Sequence, residues 1–149
     1  MAFSFSDSKM AVLPFSELPV RYRINASPWQ PKASDFESGV ELAETLLEKA
    51  VGIYNEKASE DFVEFMAKNP ASNWAQTDLF IELDKYYRQY IPFLNEKGEH
   101  CFWMNFFCRP VGNWKLHRVE VKAGGTCYFS IGFNIDTGKR FDFLVNGKE

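Results

Sequence analysis

Two patterns of hydrophobic spacing divide this chain. Between residues 34 and 68, apolar side chains recur every three or four positions, and glutamate and lysine fill the positions between them. This spacing is typical of an amphipathic helix with one face on a core. It predicts a first helix that begins at a capping box, Ser34 to Glu37, and ends near residues 55–58. A second, shorter helix is predicted over residues 60–68.

Farther along the chain, apolar and polar residues alternate with a period of two. This pattern predicts five strands separated by turns rich in Gly, Asn and Asp, over residues 85–94, 100–108, 115–122, 126–135 and 140–145. Helices that precede a run of antiparallel strands indicate an α+β fold. We therefore expect N-terminal helices packed on one face of a four- to five-stranded antiparallel meander sheet.

The length of 149 residues predicts one domain, residues 1–149. Within it we expect an N-terminal arm over residues 1–33, helices over 34–68 and the antiparallel sheet over 79–147. The arm contains a short alternating segment, Val20 to Ile24, which predicts an edge strand.

The second face of the predicted sheet, away from the helices, is unusually aromatic. The chain is 17% aromatic with 15 Phe, and such rings need cover. Two interpretations stay open: the face binds a protein partner or a ligand through its Trp and Tyr side chains, or the N-terminal arm covers it with Phe3, Phe5 and Phe15. The candidate partner or ligand residues on or near this face are Trp103, Asn105, Phe107, Trp114, His117 and Tyr128.

Charge and cysteine content narrow the classes of function. The net charge of −3 argues against a nucleic-acid binder, and no apolar run approaches the ~20 residues that span a bilayer. The first 25 residues lack a secretory signal pattern, which favours a cytoplasmic protein. The three cysteines, Cys101, Cys108 and Cys127, form no CxxC pair, so we expect reduced, buried thiols and a reducing compartment.

The sequence carries no catalytic or metal-binding signature. His100, His117 and the three cysteines match no zinc spacing, so neither a metal site nor another cofactor is predicted. No Asp–His or Cys–His spacing supports catalysis, and we predict no catalytic residue. One alternative stays open, a pocket in which polar groups converge and transfer a proton: Tyr90, Asn105, His117, Tyr128 and Asp142.

Six segments of the second half carry a resemblance to known proteins: Tyr87–Tyr90, Asn95–Glu99, Trp103–Cys108, Asn113–Lys115, Gly124–Phe129 and Phe141–Gly147. Together they resemble a group of small uncharacterised proteins from gut bacteria, across roughly residues 40–147. That group commonly carries Asn-Cys-Phe-Cys where this chain has Phe106 in place of the first cysteine, so no metal or redox role carries over. At the level of fold, the arrangement is similar to cystatin-like and nuclear-transport-factor-like domains.

These observations favour a non-enzymatic binding or protein-interaction module. A protein partner or a second copy of the chain would dock on the aromatic face, and a small apolar ligand is a further candidate. Nucleic acid and membranes are not expected partners. The alternative is a small-molecule-binding or acid/base enzyme domain with a pocket between helix and sheet.

Overall fold

The computed structural model describes residues 7–71 and 80–147. Within these residues the chain forms two α-helices and a six-stranded sheet. The helices are α1 (Val20–Arg23) and α2 (Ala33–Lys68), and the strands are β1 (Met10–Val12), β2 (Ser27–Pro28), β3 (Tyr87–Leu94), β4 (His100–Phe107), β5 (Tyr128–Asn134) and β6 (Lys139–Val145). Phe3, Phe5 and the polar connection at residues 73–78 lie outside the described residues.

The sheet is mostly antiparallel, and this part of the prediction is confirmed together with the α+β class. Strands β3, β4, β5 and β6 pair in chain order. The other edge of β3 is shared by two short strands, β1 in parallel and β2 antiparallel. The segment predicted as an arm therefore contributes two strands to the sheet.

The prediction of two helices over residues 34–68 is wrong, because α2 runs unbroken through its 36 residues. Ser59 can cap a helix, but neither Gly nor Pro adjoins it, and propensity differences below about 1 kcal/mol do not stop a helix. Lys57 and Asp61 pair across this point at 2.9 Å. The capping box is also absent, since α2 begins one residue before Ser34 and its N-terminal cap, Lys32, makes no side-chain capping bond.

One face of the sheet packs against the first half of α2. The contact is close at Gly39, where a Cβ would lie 2.9 Å from the ring of Phe102. The rings of Phe106 and Phe129 stack with centroids 4.5 Å apart. Beyond Val51, no residue of α2 is buried. The helix contributes Ala43, Leu47, Ala50 and Val51 to this core, and the sheet contributes Tyr90, Phe102, Met104, Phe106, Phe129, Ile131 and Phe133.

The second face of the sheet is covered by the chain itself. The N-terminal segment packs Ala11, Leu13 and Leu18 against the sheet. The segment between β4 and β5 adds Trp114 and Val119 to the same cluster. Of the two interpretations of the aromatic face, cover by the chain's own N-terminal segment is therefore the one observed. The sheet residues in this cluster are Ile91, Phe93, Cys101, Trp103 and Phe107.

Two predicted strands on this side are wrong. Residues 20–24 form the helix α1 instead of an edge strand, and its Tyr22 packs on Phe93 and Phe141. Residues 115–122 form turns and loop, without strand pairing in the described structure. Both segments alternate in sequence, but the edge of β3 is already occupied by β1 and β2, and β5 occupies the free side of β4.

The expectation of three reduced thiols is wrong for two of them. Cys108 and Cys127 form a disulfide with Cα atoms 4.9 Å apart. The pair extends the β4–β5 ladder, where the Cys108 N–H donates to the Cys127 carbonyl at 2.9 Å. Neighbouring strand ends thus bring the two Cβ atoms within reach, which spacing along the chain does not reveal. Cys101 is a buried thiol, and cysteine usage no longer argues for a reducing compartment.

Gly39 and Gly52 provide a matched test of how closely α2 packs on the sheet. We expect Gly39→Ala to lower the free energy of unfolding by about 1–3 kcal/mol, because its methyl group meets the packed ring of Phe102. Gly52→Ala meets nothing within 4 Å and should stabilise by about 0.5–1 kcal/mol through helix propensity. Urea unfolding measures both, and equal stabilisation by the two variants would contradict the packing.

Thiol counting tests the cysteine pairing. Burial raises the pKa of Cys101 to about 12, so its thiol stays protonated near pH 8 and should react slowly in the folded protein. In urea without reductant, a chromogenic thiol reagent should titrate Cys101 alone, and Cys101→Ser should remove that signal. Reduction of the disulfide should lower the free energy of unfolding by about 3 kcal/mol. Three reactive thiols in unreduced, unfolded protein would refute the pairing.

Candidate functional site

A buried pair of amide side chains organises the second face of the sheet. Gln89 on β3 and Asn105 on β4 lie directly opposite each other, and the Asn105 amide donates to the Gln89 side-chain oxygen at 3.0 Å. Gln89 has no exposed surface and Asn105 is 8% exposed. Buried amides persist in a core only when their polar atoms are satisfied, so their other partners matter.

Those other partners are all backbone groups of the segment between β4 and β5. The Gln89 amide donates to the carbonyls of Trp114 and His117 at 2.6 and 2.7 Å. Its oxygen accepts the Val119 N–H at 3.0 Å, and Asn105 donates to the Val119 carbonyl at 2.8 Å. The two side chains therefore hold the loop on the sheet and replace the strand pairing that residues 115–122 would otherwise need.

The N-terminal segment is joined to the same loop. The Glu17 carboxylate accepts the Arg118 N–H at 2.6 Å, and the Arg118 guanidinium donates to the Glu17 carbonyl at 2.8 Å. The hydrogen bond from the Arg118 backbone N–H, together with the nearby side chains of His117 and Arg118, holds the pKa of the Glu17 carboxyl below its ordinary value. Hydrogen bonds thus connect the N-terminal segment, the loop and the sheet to one another.

A cavity of about 210 Å³ lies where these three pieces meet. Trp103 and Asn105 on β4 and Tyr128 and Ser130 on β5 line it from the sheet. Arg21 lines it from α1, and Leu144 lines it from β6. The loop contributes residues 118–122, including Arg118, Glu120 and Lys122. The site thus combines an aromatic and aliphatic wall with several hydrogen-bond donors.

Trp103 is the one buried donor of this wall that has no partner among the described residues. Its side chain is 3% exposed, and the indole Nε1–H makes no hydrogen bond. A buried donor left without an acceptor costs about 1–3 kcal/mol. Trp103 is also one of the residues that border the cavity.

The structure brings only half of the sequence-predicted residues to the cavity. Trp103, Asn105 and Tyr128 line it. Phe107 and Trp114 are buried in the second-face core, with ring centroids 5.7 Å apart, and His117 is exposed beside Glu17. The side chains of Trp103, Phe107 and Trp114 are largely buried by other residues of the chain.

The sequence-based search missed Gln89, Arg21, Arg118 and Lys122. Gln89 could have been found from the sequence, because it is the only amide side chain in the mostly apolar strand β3. The alternation of side chains along the strand places it on the second face, where a buried amide needs partners. The three cations leave no such signal, since they come from one loop and a short helix that only the fold brings together.

The proton-transfer pocket considered above does not form. Tyr90 lies on the helix side of the sheet, and burial raises its pKa well above the ordinary range. Asp142 is exposed at the other end of the second face, where it accepts the Tyr22 hydroxyl at 2.6 Å. Burial first, and this bond second, raise the pKa of Tyr22 to about 12. The five residues therefore do not converge.

Two other features contain polar or reactive groups. Glu44 and Arg88 form a buried ion pair at 3.4 Å under α2, and burial raises the pKa of Glu44 even though Arg88 opposes the shift. A second cavity of about 240 Å³ borders Cys101 and Phe141. In the described ranges, no group of three or more His, Cys, Asp and Glu is placed to hold a metal ion.

No protein-family model, curated protein or solved structure matches this chain. The resemblances to gut-bacterial proteins and to cystatin-like folds therefore stay predictions. Of the helices in residues 7–71 and 80–147, none combines the length and apolar character needed to cross a bilayer.

Replacement of Gln89 tests whether the amide pair holds the loop. Gln89→Leu keeps the apolar volume but leaves two carbonyls and one N–H of the loop without partners, so we expect a loss of about 2–4 kcal/mol in the free energy of unfolding. The Val119 N–H should also exchange with solvent much faster.

Gln30→Leu is the control, because Gln30 is exposed and the same change should stay within about 0.5 kcal/mol. A Gln89→Leu protein as stable as the control, with a protected Val119 amide, would show that the loop is held by other contacts.

Proposed function

We propose that this protein is a non-enzymatic binding module that takes a small molecule into the cavity beside Trp103. The observation that carries the proposal is the cavity itself, in which an apolar wall formed by Trp103, Val119 and Leu144 lies beside cationic and hydroxyl side chains. Sites for small molecules commonly combine such walls with a few polar groups that orient the ligand. The cavity has room for about seven waters at the volume of the liquid, which fits a small ligand.

The composition of the lining supports binding rather than catalysis. Among the described residues at the cavity there is no histidine, cysteine or aspartate, and its carboxylate, Glu120, is 72% exposed. General acid–base chemistry uses groups whose pKa lies near the working pH and which reach the reacting atom. Arginine, lysine, tryptophan and serine side chains instead serve here as hydrogen-bond donors.

The cavity lies on the second face of the sheet and not between helix and sheet, where the sequence places the pocket of a small-molecule binder. Between α2 and the sheet, side chains pack together in a buried aromatic cluster. Self-association through the second face is not part of the proposal, because the chain's own segments bury that face. The cystatin-like arrangement stays a finer proposal, supported by one long helix that precedes four sequential antiparallel strands.

Nitrogen-15 NMR of the full chain tests the proposal with a library of aromatic fragments, both charged and neutral. Binding fragments should shift the Trp103 indole N–H resonance, identified by its loss in Trp103→Phe. The Trp29 indole should not respond, because Trp29 packs against His100 and Phe102 on the helix side.

Two variants sharpen the result. Ser130→Phe places a ring in the cavity and should abolish the shifts, whereas Ser38→Phe on the exposed side of α2 should leave them unchanged. Fragments that fail to move the Trp103 resonance at millimolar concentration, or that move it equally in Ser130→Phe, would refute a ligand site here.

A further inference from the structure

On the basis of the proposed function, we propose that the cavity selects small organic anions, carboxylates with an apolar body, over neutral or cationic molecules of the same shape.

The charge of the lining is opposite to that of the chain. The whole chain has 17 Lys and Arg against 20 Asp and Glu, a net charge of −3. Around the cavity, three cations, Arg21, Arg118 and Lys122, face one carboxylate, Glu120. This local excess of positive charge is therefore a property of the site, and it favours an anion.

Two of the three cations make no close ion pair in the described part of the protein, although the Arg21 guanidinium lies over the ring of Tyr22, 4.6 Å from its centroid. Arg21 and Lys122 have no carboxylate within 4.0 Å there. Arg118 approaches Glu120 only at 3.8 Å, and the Glu120 side chain is largely exposed. Such an exposed pair is weak, so a ligand carboxylate can compete for the guanidinium.

Arg118 is also held in place for recognition. One of its terminal nitrogens donates to the Glu17 carbonyl at 2.8 Å, which orients the guanidinium, while a guanidinium has five N–H donors in total. A fixed guanidinium favours a planar carboxylate, which it can bind through two parallel hydrogen bonds. The side-chain amide of Asn146 and the hydroxyl of Ser130, which also border the cavity, are neutral donors.

The apolar side chains that border the cavity indicate which kind of molecule would carry the carboxylate. Trp103 and Val119 are buried, while Tyr128 is half-buried, and all three border the cavity with Leu144. These side chains favour a flat ring or a short aliphatic body over a strongly hydrated inorganic ion.

Three probes of one shape test the charge selectivity: benzoate, benzamide and benzamidine. Titrations followed at the Trp103 indole resonance should give benzoate an affinity about tenfold or more above benzamide, with benzamidine weaker than both. The benzoate affinity should fall as sodium chloride rises from low to high concentration, because exposed charges are screened. Benzamide or benzamidine binding as tightly as benzoate would overturn the inference while leaving a ligand site in place, whereas no binding by these probes or the fragment library would overturn the site itself.

Variants that remove one positive charge each test which side chains cause the preference for benzoate. Arg21→Gln and Lys122→Gln alter exposed side chains and should each weaken benzoate several-fold while leaving benzamide unchanged. Lys115→Gln is the matched control, because Lys115 is on the same loop but stacks over Trp114 outside the cavity. Equal losses for benzoate and benzamide, or an equal loss in the control, would contradict an electrostatic site. If a variant does not fold, the comparison of the three probes on the unchanged protein still decides.

Discussion

The hydrogen bonds of Gln89 and Asn105 are the constraint on which the second face of this protein depends. Two adjacent amides in the middle of an aromatic sheet would be costly if their polar atoms had no partners. Here they satisfy each other and the backbone at Trp114, His117 and Val119. The same hydrogen bonds therefore satisfy both the buried amide side chains and the backbone groups of the loop, which would each be costly to bury without a partner.

The consequence is a third layer made of the N-terminal segment, with its short helix α1, and of a loop that has no strand pairing. The helix α2 covers one face of the sheet, and on the other face the loop lies beside the N-terminal segment. The disulfide between Cys108 and Cys127 closes this loop at its base, and Glu17 ties it to the N-terminal segment through Arg118. A layer held by point contacts packs less completely than a helix, and the cavity lies where its pieces meet.

The cavity differs in character from the core around it. The core clusters are aromatic and aliphatic, whereas three cations, Arg21, Arg118 and Lys122, border the cavity. Positive side chains gathered at one place create a local field of a sign opposite to the net charge of the chain. Trp103 belongs to both, since it is a core residue that also borders the cavity.

The sequence by itself determined the α+β class, the four antiparallel strands β3–β6 and the two faces of β4, because these follow from local periodicity. It also marked Trp103, Asn105 and Tyr128 as residues of the second face. Only the tertiary structure decided that residues 115–122 form a loop, that Cys108 meets Cys127, and that Arg21 and Lys122 share one cavity. Each of these depends on contacts between distant parts of the chain, and alternation does not reveal whether a strand edge is free or already taken.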